Sequence, residues 1–223
     1  MGKNLIGAFW QPRAVVVDPL VLRTLPARDS RCGLAECIKQ GVLASAGLLS
    51  FIEARLKGIT ELDTETITEL IARSAQIKVA IVQEDEREAG RRALLNLGHT
   101  FAHVIEPIEA LDLRHGEAVA IGICAAARCA HETGRLARDD EKRISDLLGM
   151  AGLPTRLPQP IDAPRLIDAM GYDKKVAHGR LRLVLPTALG RAEIADDVPR
   201  EAVVSAWHAV GATAPPSGGE WGG

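Results

Sequence analysis

Along most of this chain apolar residues recur three and four positions apart, the spacing of helices with one buried face. Between Arg92 and Ile105 the pattern inverts, and polar residues form the narrow band. Arg92, Asn96, His99 and His103 are spaced four, three and four apart. At about 100° per residue they point to roughly 0°, 40°, −20° and 20°, a stripe about 60° wide. Leu94, Leu95, Leu97, Phe101, Val104 and Ile105 cover the other faces. A surface helix carries a wide polar face and a narrower apolar stripe. The reversed pattern therefore predicts a helix enclosed by protein and lining a cavity.

The same reading predicts a mainly α fold. A β-branched run, Arg13-Ala14-Val15-Val16-Val17-Asp18, follows Pro12 and predicts a strand. Helices are expected from about Ser30 to Leu43, from Leu48 to Leu56, and from Glu65 to about Gln83. Asp63 or Thr64 would cap the last of these. The Arg92 helix comes next, then helices from about His115 to Thr133 and Asp139 to Leu148. Arg180–Leu185 and Arg191–Ile194, joined through Pro186 and Gly190, predict a small β-hairpin. A final helix starts near Pro199, and the Pro/Gly-rich residues from Ala214 to Gly223 predict a disordered tail. A lone strand before a helical bundle has no sheet to join, so the chain reads as if it begins mid-fold.

Composition narrows the function. The 223 residues are 47% apolar and 25% charged, ordinary for a globular protein. Only 3% are aromatic, so the core is expected to be Ala, Leu, Ile and Val. A net charge of −2 argues against capture by nucleic acid or an anionic membrane. No apolar run reaches the roughly 18 residues of a membrane span, and no signal-peptide core follows Met1. A cytoplasmic protein is expected. Cys32/Cys37 and Cys124/Cys129 are each five apart, wider than common zinc knuckles, which predicts reduced thiols on helix faces.

The chemistry gathers around the inverted stripe. His99 and His103 are four apart, a spacing that lets two imidazoles approach one ion. His115 opens the next helix after a short connection. Glu36 and Lys39, three apart, share a helix face. Lys78 lies among Ile77, Val79, Ala80, Ile81 and Val82, an awkward place for an ammonium unless it reaches a polar pocket. A carboxylate with two histidines is a ligand set of catalytic zinc. Lys39, Lys78, Arg92 and Asn96 then supply donors for an anion, Arg92 being suited to bidentate contact. On one helix Arg92 and His103 would lie about 16 Å apart, favouring an elongated ligand charged at both ends. Asp173-Lys174-Lys175 offers further cations. His131, Glu132, His178 and His208 read as surface residues. No glycine-rich dinucleotide fingerprint follows a strand.

Five segments together resemble the 3-dehydroquinate synthases, a family of sugar-phosphate cyclases. They are Gly2-Lys3-Asn4-Leu5-Ile6-Gly7-Ala8-Phe9, Gly33-Leu34-Ala35-Glu36-Cys37-Ile38-Lys39 and Leu95-Asn96-Leu97-Gly98-His99-Thr100-Phe101-Ala102-His103. His115-Gly116-Glu117-Ala118-Val119-Ala120 and Asp173-Lys174-Lys175-Val176 complete the set. The resemblance implies metal ligation by Glu36, His99 and His115, with His103 a substrate contact beside them. It implies that Lys3, Asn4, Lys39, Lys78, Arg92, Asn96, His103 and Lys174 or Lys175 bind substrate. Among these Lys39, Arg92, Asn96 and His103 would also act in catalysis.

The implied cofactors are NAD and one divalent metal, zinc or cobalt. The implied reaction, a step of the shikimate pathway, converts 3-deoxy-D-arabino-heptulosonate 7-phosphate to 3-dehydroquinate and phosphate, by a homodimer in intact form. The family's NAD-binding half lies upstream of the Gly-Lys-Asn block. Residues 1–28 are accordingly expected to be a remnant of an α/β nucleotide domain. Residues 29–211 are expected to form the helical metal- and substrate-binding domain, and 212–223 a tail. The chain alone is then expected to lack a complete nicotinamide site and activity. Alternatives are another sugar-phosphate cyclase, a non-catalytic metal-binding or subunit-interaction module, and a polyol dehydrogenase.

Overall fold

The computed structural model describes Trp10 and residues 12–86, 90–171 and 182–214. Helices dominate: α1 (Ala27–Ala44), α2 (Ala46–Thr60), α3 (Thr64–Glu84), α4 (His99–Ile105), α5 (His115–Glu132), α6 (Arg138–Met150), α7 (Ala163–Ala169) and α8 (Arg200–Ala209). One antiparallel hairpin, β1 (Leu183–Ala188) with β2 (Arg191–Ala195), precedes α8.

The centre of the molecule is α5. Ala118 to Ala127, Cys129 and Ala130 along it are buried. Helices α1, α4, α6 and α8 and strand β1 all pack on it. Small side chains permit that crowding. A β-carbon on Gly116 would stand 2.5 Å from the Cys32 carbonyl oxygen of α1, so only glycine lets the two helices approach this closely. The core is otherwise Ala, Leu, Ile and Val, as the low aromatic content predicts. Two buried aromatic rings stand out: Trp207 of α8 lies edge-on to Phe101 of α4 with ring centroids 5.2 Å apart.

Capping fixes several boundaries. The Leu48 amide donates to Ser45 Oγ at the start of α2, and the Thr66 amide donates to Asp63 Oδ2 at the start of α3. Free thiols at Cys32, Cys37, Cys124 and Cys129 lie on α1 and α5, as expected.

Three expectations change. Residues 13–18 pair with no strand among the described residues, and Val15 and Val16 are 74% and 93% exposed. A β-branched run without a neighbouring strand has no partner for its amides. The chain instead turns into a 3-10 helix at Pro19–Thr24, where Asp18 accepts from the Leu20 amide. The segment from Arg92 to Ile105 is not one helix. It is a 3-10 helix over Arg91–Asn96, a break at Leu97–Gly98, and then α4. Gly98 has φ +78°, and a β-carbon there would stand 2.8 Å from the Ile123 amide nitrogen of α5. A left-handed turn pressed on a neighbouring helix ends one segment and begins another. Finally, Ala212 and Thr213, expected in the tail, are held: the Thr213 amide donates to the Ile161 carbonyl and Ala212 is buried.

The expected hairpin forms, with its second strand starting at Arg191 as expected and its first running on over Pro186 with a register shift before Ala188. Proline is tolerated there because a two-stranded sheet consists only of edges. Helix α7 was not anticipated, although Asp162 with Pro164 in the first turn is a recognisable start.

Candidate metal centre

Glu36 projects from the middle of α1, while His99 and His115 are the first residues of α4 and α5. Their ligand atoms lie within 4.8 Å of one another. Glu36 Oε1 is 3.7 Å from His99 Nε2 and 3.6 Å from His115 Nε2.

Two clamps bring α5 to α1. Arg28 donates through Nε and Nη2 to the two oxygens of Glu117, at 2.7 and 2.6 Å, and Arg114 pairs with Asp29 at 2.8 Å. Glu117 also accepts from the Arg114 amide, closing a capping box at the start of α5. With the Gly116–Cys32 contact, these bonds set His115 one turn along from Cys32, beside Glu36. His99 is placed by the turn at Gly98.

Each imidazole is oriented on its far side. His99 Nδ1 lies 3.2 Å from the Leu97 carbonyl oxygen, and His115 Nδ1 lies 3.1 Å from Glu106 Oε2. Both partners are acceptors, so each Nδ1 carries the proton and each Nε2 turns a lone pair toward Glu36. Two lone pairs and a carboxylate oxygen at 3.6–3.7 Å are too far apart to hydrogen-bond. Two donors bound at about 2.0–2.1 Å to one tetrahedral ion stand roughly 3.3–3.4 Å apart. A small closure fits the three residues to a divalent cation.

Lys39 completes the charge arrangement. It is only 4% exposed, and its Nζ lies 2.5 Å from Glu36 Oε2, the oxygen turned away from the histidines. Burial pulls the Lys39 ammonium below its ordinary value; Glu36 opposes that shift and the Lys78 charge adds to it. Burial pushes the Glu36 carboxyl up, yet Lys39, His99 and His115 together hold it below its ordinary range. Burial, then the Lys39 charge, pulls the His99 imidazole down, with Glu36 opposing. Glu36 is thereby kept as an anion and His99 as a neutral donor.

A cavity of about 330 Å³ opens beside His99, lined by Asn96, Thr100, His103, Arg182, Val184 and Ile194 among others. The His103 ring lies 5.5 Å from that of His99, outside the ligand set. Arg92 is turned elsewhere: its Nη1 donates to the Glu86 carbonyl oxygen, and its amide donates to Asp85. It does not line this cavity. The expected 16 Å row of four residues on one helix therefore falls with the break at Gly98. Lys3, Asn4, Lys174 and Lys175 lie outside the described residues.

Two residues escaped the sequence reading. Glu106 follows His99 by seven positions, which returns it to the same helix face. Arg182 precedes Val184 by two, the strand period that puts both on one side. Neither carried a motif.

Residues 33–176 match the family described as 3-dehydroquinate synthase C-terminal, and residues 1–32 match 3-dehydroquinate synthase N-terminal. The chain is 46% identical over 205 residues to a 3-dehydroquinate synthase of Nostoc punctiforme. It is 42% identical over 205 residues to one of Crocosphaera subtropica. In both cases the match covers 91% of this chain and 56% of the relative, so the chain spans little more than half their length. A 2-epi-5-epi-valiolone synthase from Streptomyces hygroscopicus, with NAD+ and Zn2+ bound, superposes with TM-score 0.82 at 27% identity. That match covers 93% of this chain and 58% of that one. A 2-deoxy-scyllo-inosose synthase complexed with carbaglucose-6-phosphate, NAD+ and Co2+ shares the fold at TM-score 0.77 and 24% identity. It covers 92% of this chain and 58% of that one. Among the described residues no helix is long and apolar enough to cross a membrane.

Proposed function

The chain belongs to the 3-dehydroquinate synthase family, and from that premise we propose that it carries the metal- and substrate-binding machinery of a 3-dehydroquinate synthase. The proposed reaction converts 3-deoxy-D-arabino-heptulosonate 7-phosphate to 3-dehydroquinate and phosphate, in a phosphorus–oxygen lyase step of the shikimate pathway. The observation that carries this reading is the convergence of Glu36, His99 and His115 from three helices.

Glu36, His99 and His115 are the proposed ligands of one divalent cation, zinc or cobalt. A bound cation supplies Lewis acidity toward substrate oxygens, and NAD, proposed to sit mostly outside the described residues, supplies reversible hydride transfer. The chain's own groups hold the substrate. Lys39 presents positive charge next to Glu36, and the Lys78 charge acts on Lys39. Asn96 and Thr100 offer hydrogen bonds in the cavity, and Arg182 a guanidinium suited to phosphate or carboxylate. His103 exchanges a proton at its imidazole nitrogen with a group bound in the same cavity. Arg92, Lys3, Asn4 and Lys174 or Lys175 are also proposed to bind the substrate. The division into residues 1–28, 29–211 and a tail, a homodimeric complete form and a cytoplasmic location belong to the same proposal.

The reading is tested by mixing the chain with the separately expressed nucleotide-binding portion of a relative and measuring phosphate release. Release that requires NAD and Zn2+ or Co2+ and is lost in His99→Ala is the expected result. A chain that binds neither metal and releases no phosphate overturns it. A second reading, a cyclase of another sugar phosphate, draws support from the TM-score of 0.82 to the valiolone synthase. Competition between carboxylated and uncarboxylated sugar phosphates separates the two.

A further inference from the structure

Of the three proposed ligands, His115 has the loosest setting. Its side chain is 43% exposed, against 13% for His99. Like His99 it is the first residue of its helix, so the preceding turn does not confine it. An imidazole placed this way rotates about two side-chain bonds unless something holds its far nitrogen. Among the described residues that holder is Glu106, whose Oε2 lies 3.1 Å from Nδ1.

We propose that Glu106 is a positioning residue: it accepts the Nδ1 proton of His115, fixes that tautomer, and thereby aims Nε2 at Glu36 Oε1. The inference rests on the metal reading above. Glu106 is the residue that caps the C-terminus of α4, and His99 is the residue with which α4 begins. One helix of seven residues therefore carries a proposed ligand at its start and is followed at once by the orienter of another. Since Gly98 and Gly122 lock α4 against α5, the two histidines are set relative to each other by a single rigid piece.

The two imidazoles are oriented by unlike groups. His99 donates to a neutral carbonyl and His115 to a carboxylate. A carboxylate behind a ligating histidine increases the electron density on the opposite nitrogen, and losing such a partner weakens metal affinity about 10- to 100-fold. Among the described residues the Glu106 carboxylate bonds to His115, and its effect runs through that imidazole.

The experiment uses Co2+ as probe on the 223-residue chain, with affinity read by competition against a chromogenic chelator and geometry read from the visible Co2+ absorption. Wild type is expected to bind Co2+ and His99→Ala to lose it. Glu106→Ala is expected to bind about 10- to 100-fold more weakly, with an altered spectrum. Glu106→Gln, whose amide oxygen still accepts the Nδ1 proton, restores the wild-type spectrum and part of the affinity. The Gln variant carries the test if Glu106→Ala fails to fold. Wild-type affinity and spectrum in Glu106→Ala overturn the inference while leaving the metal reading intact. Absence of Co2+ binding in wild type overturns the metal reading and this inference together.

Discussion

Gly98 and Gly122 meet backbone to backbone: a β-carbon on Gly122 would overlap the carbonyl oxygen of Gly98. The contact seats α4, and with it His99, directly on α5.

Gly122→Ala is accordingly expected to destabilise the chain by about 1–3 kcal/mol, the usual cost of overpacking a filled core, and to weaken metal binding by displacing His99. Gly33→Ala is the contrasting substitution. Nothing lies within 4 Å of the added carbon on α1, so it is expected to stabilise by about 0.5–1 kcal/mol. Urea unfolding of both variants checks the pair, and equal effects would contradict the packing argument.

Removing the Lys39 ammonium exposes its role beside Glu36. Lys39→Met leaves the carboxylate without its 2.5 Å partner, at a cost of about 1–3 kcal/mol near neutral pH. The sign with pH follows from Glu36, whose carboxyl is held below its ordinary 4.5. The stability this contributes is fully present above about pH 4.5 and is lost as pH falls through the lowered value. Urea unfolding of metal-free protein at pH 7 and pH 3.5 is expected to show the gap between wild type and Lys39→Met closing in acid. A gap that does not depend on pH would mean that the ion pair contributes little.

Metal should act as a ligand of the folded state. Zn2+ or Co2+ is expected to raise the unfolding midpoint by an amount that grows with metal concentration. A chelator should reverse the rise, and His99→Ala should show none. Scanning calorimetry at several metal concentrations checks this. An identical rise in His99→Ala would place the binding elsewhere.

Trp207 supports the centre from below. Its ring is buried against Phe101, two residues from His99, and its Nε1 donates to Met170 Sδ at 3.2 Å. Trp207→Ala is expected to cost about 3–5 kcal/mol and Trp207→Phe less, as measured by urea unfolding. Similar losses for the two would mean that the ring packing contributes little.

Much of the helical framework could be read from local pattern. The start of α3 is set by Asp63, and α5 follows an unbroken run of small and apolar residues from Ala118 to Ala127. The proposed ligands stood out because Glu36, His99 and His115 lie within motifs that resemble the family. The break at Leu97–Gly98 could not be read in this way. Inside an apolar run Gly98 looks like helix interior, and its left-handed turn makes sense only against the α5 backbone. Arg13–Asp18 failed for a related reason, because strand character depends on a partner that local sequence does not contain. Glu106 and Arg182 were hidden because each gains meaning only from a neighbour distant in sequence, His115 for the first and His103 for the second.

The bend at Gly98 also divides labour along the chain. Arg92 and Asn96 ride on one short segment, and His99 with His103 on another that points independently. Had all four shared a straight rod, any change at Arg92 or Asn96 would have carried through to His99. With a bend seated on α5 between them, the Arg91–Asn96 turn is free to change while the imidazoles keep their station.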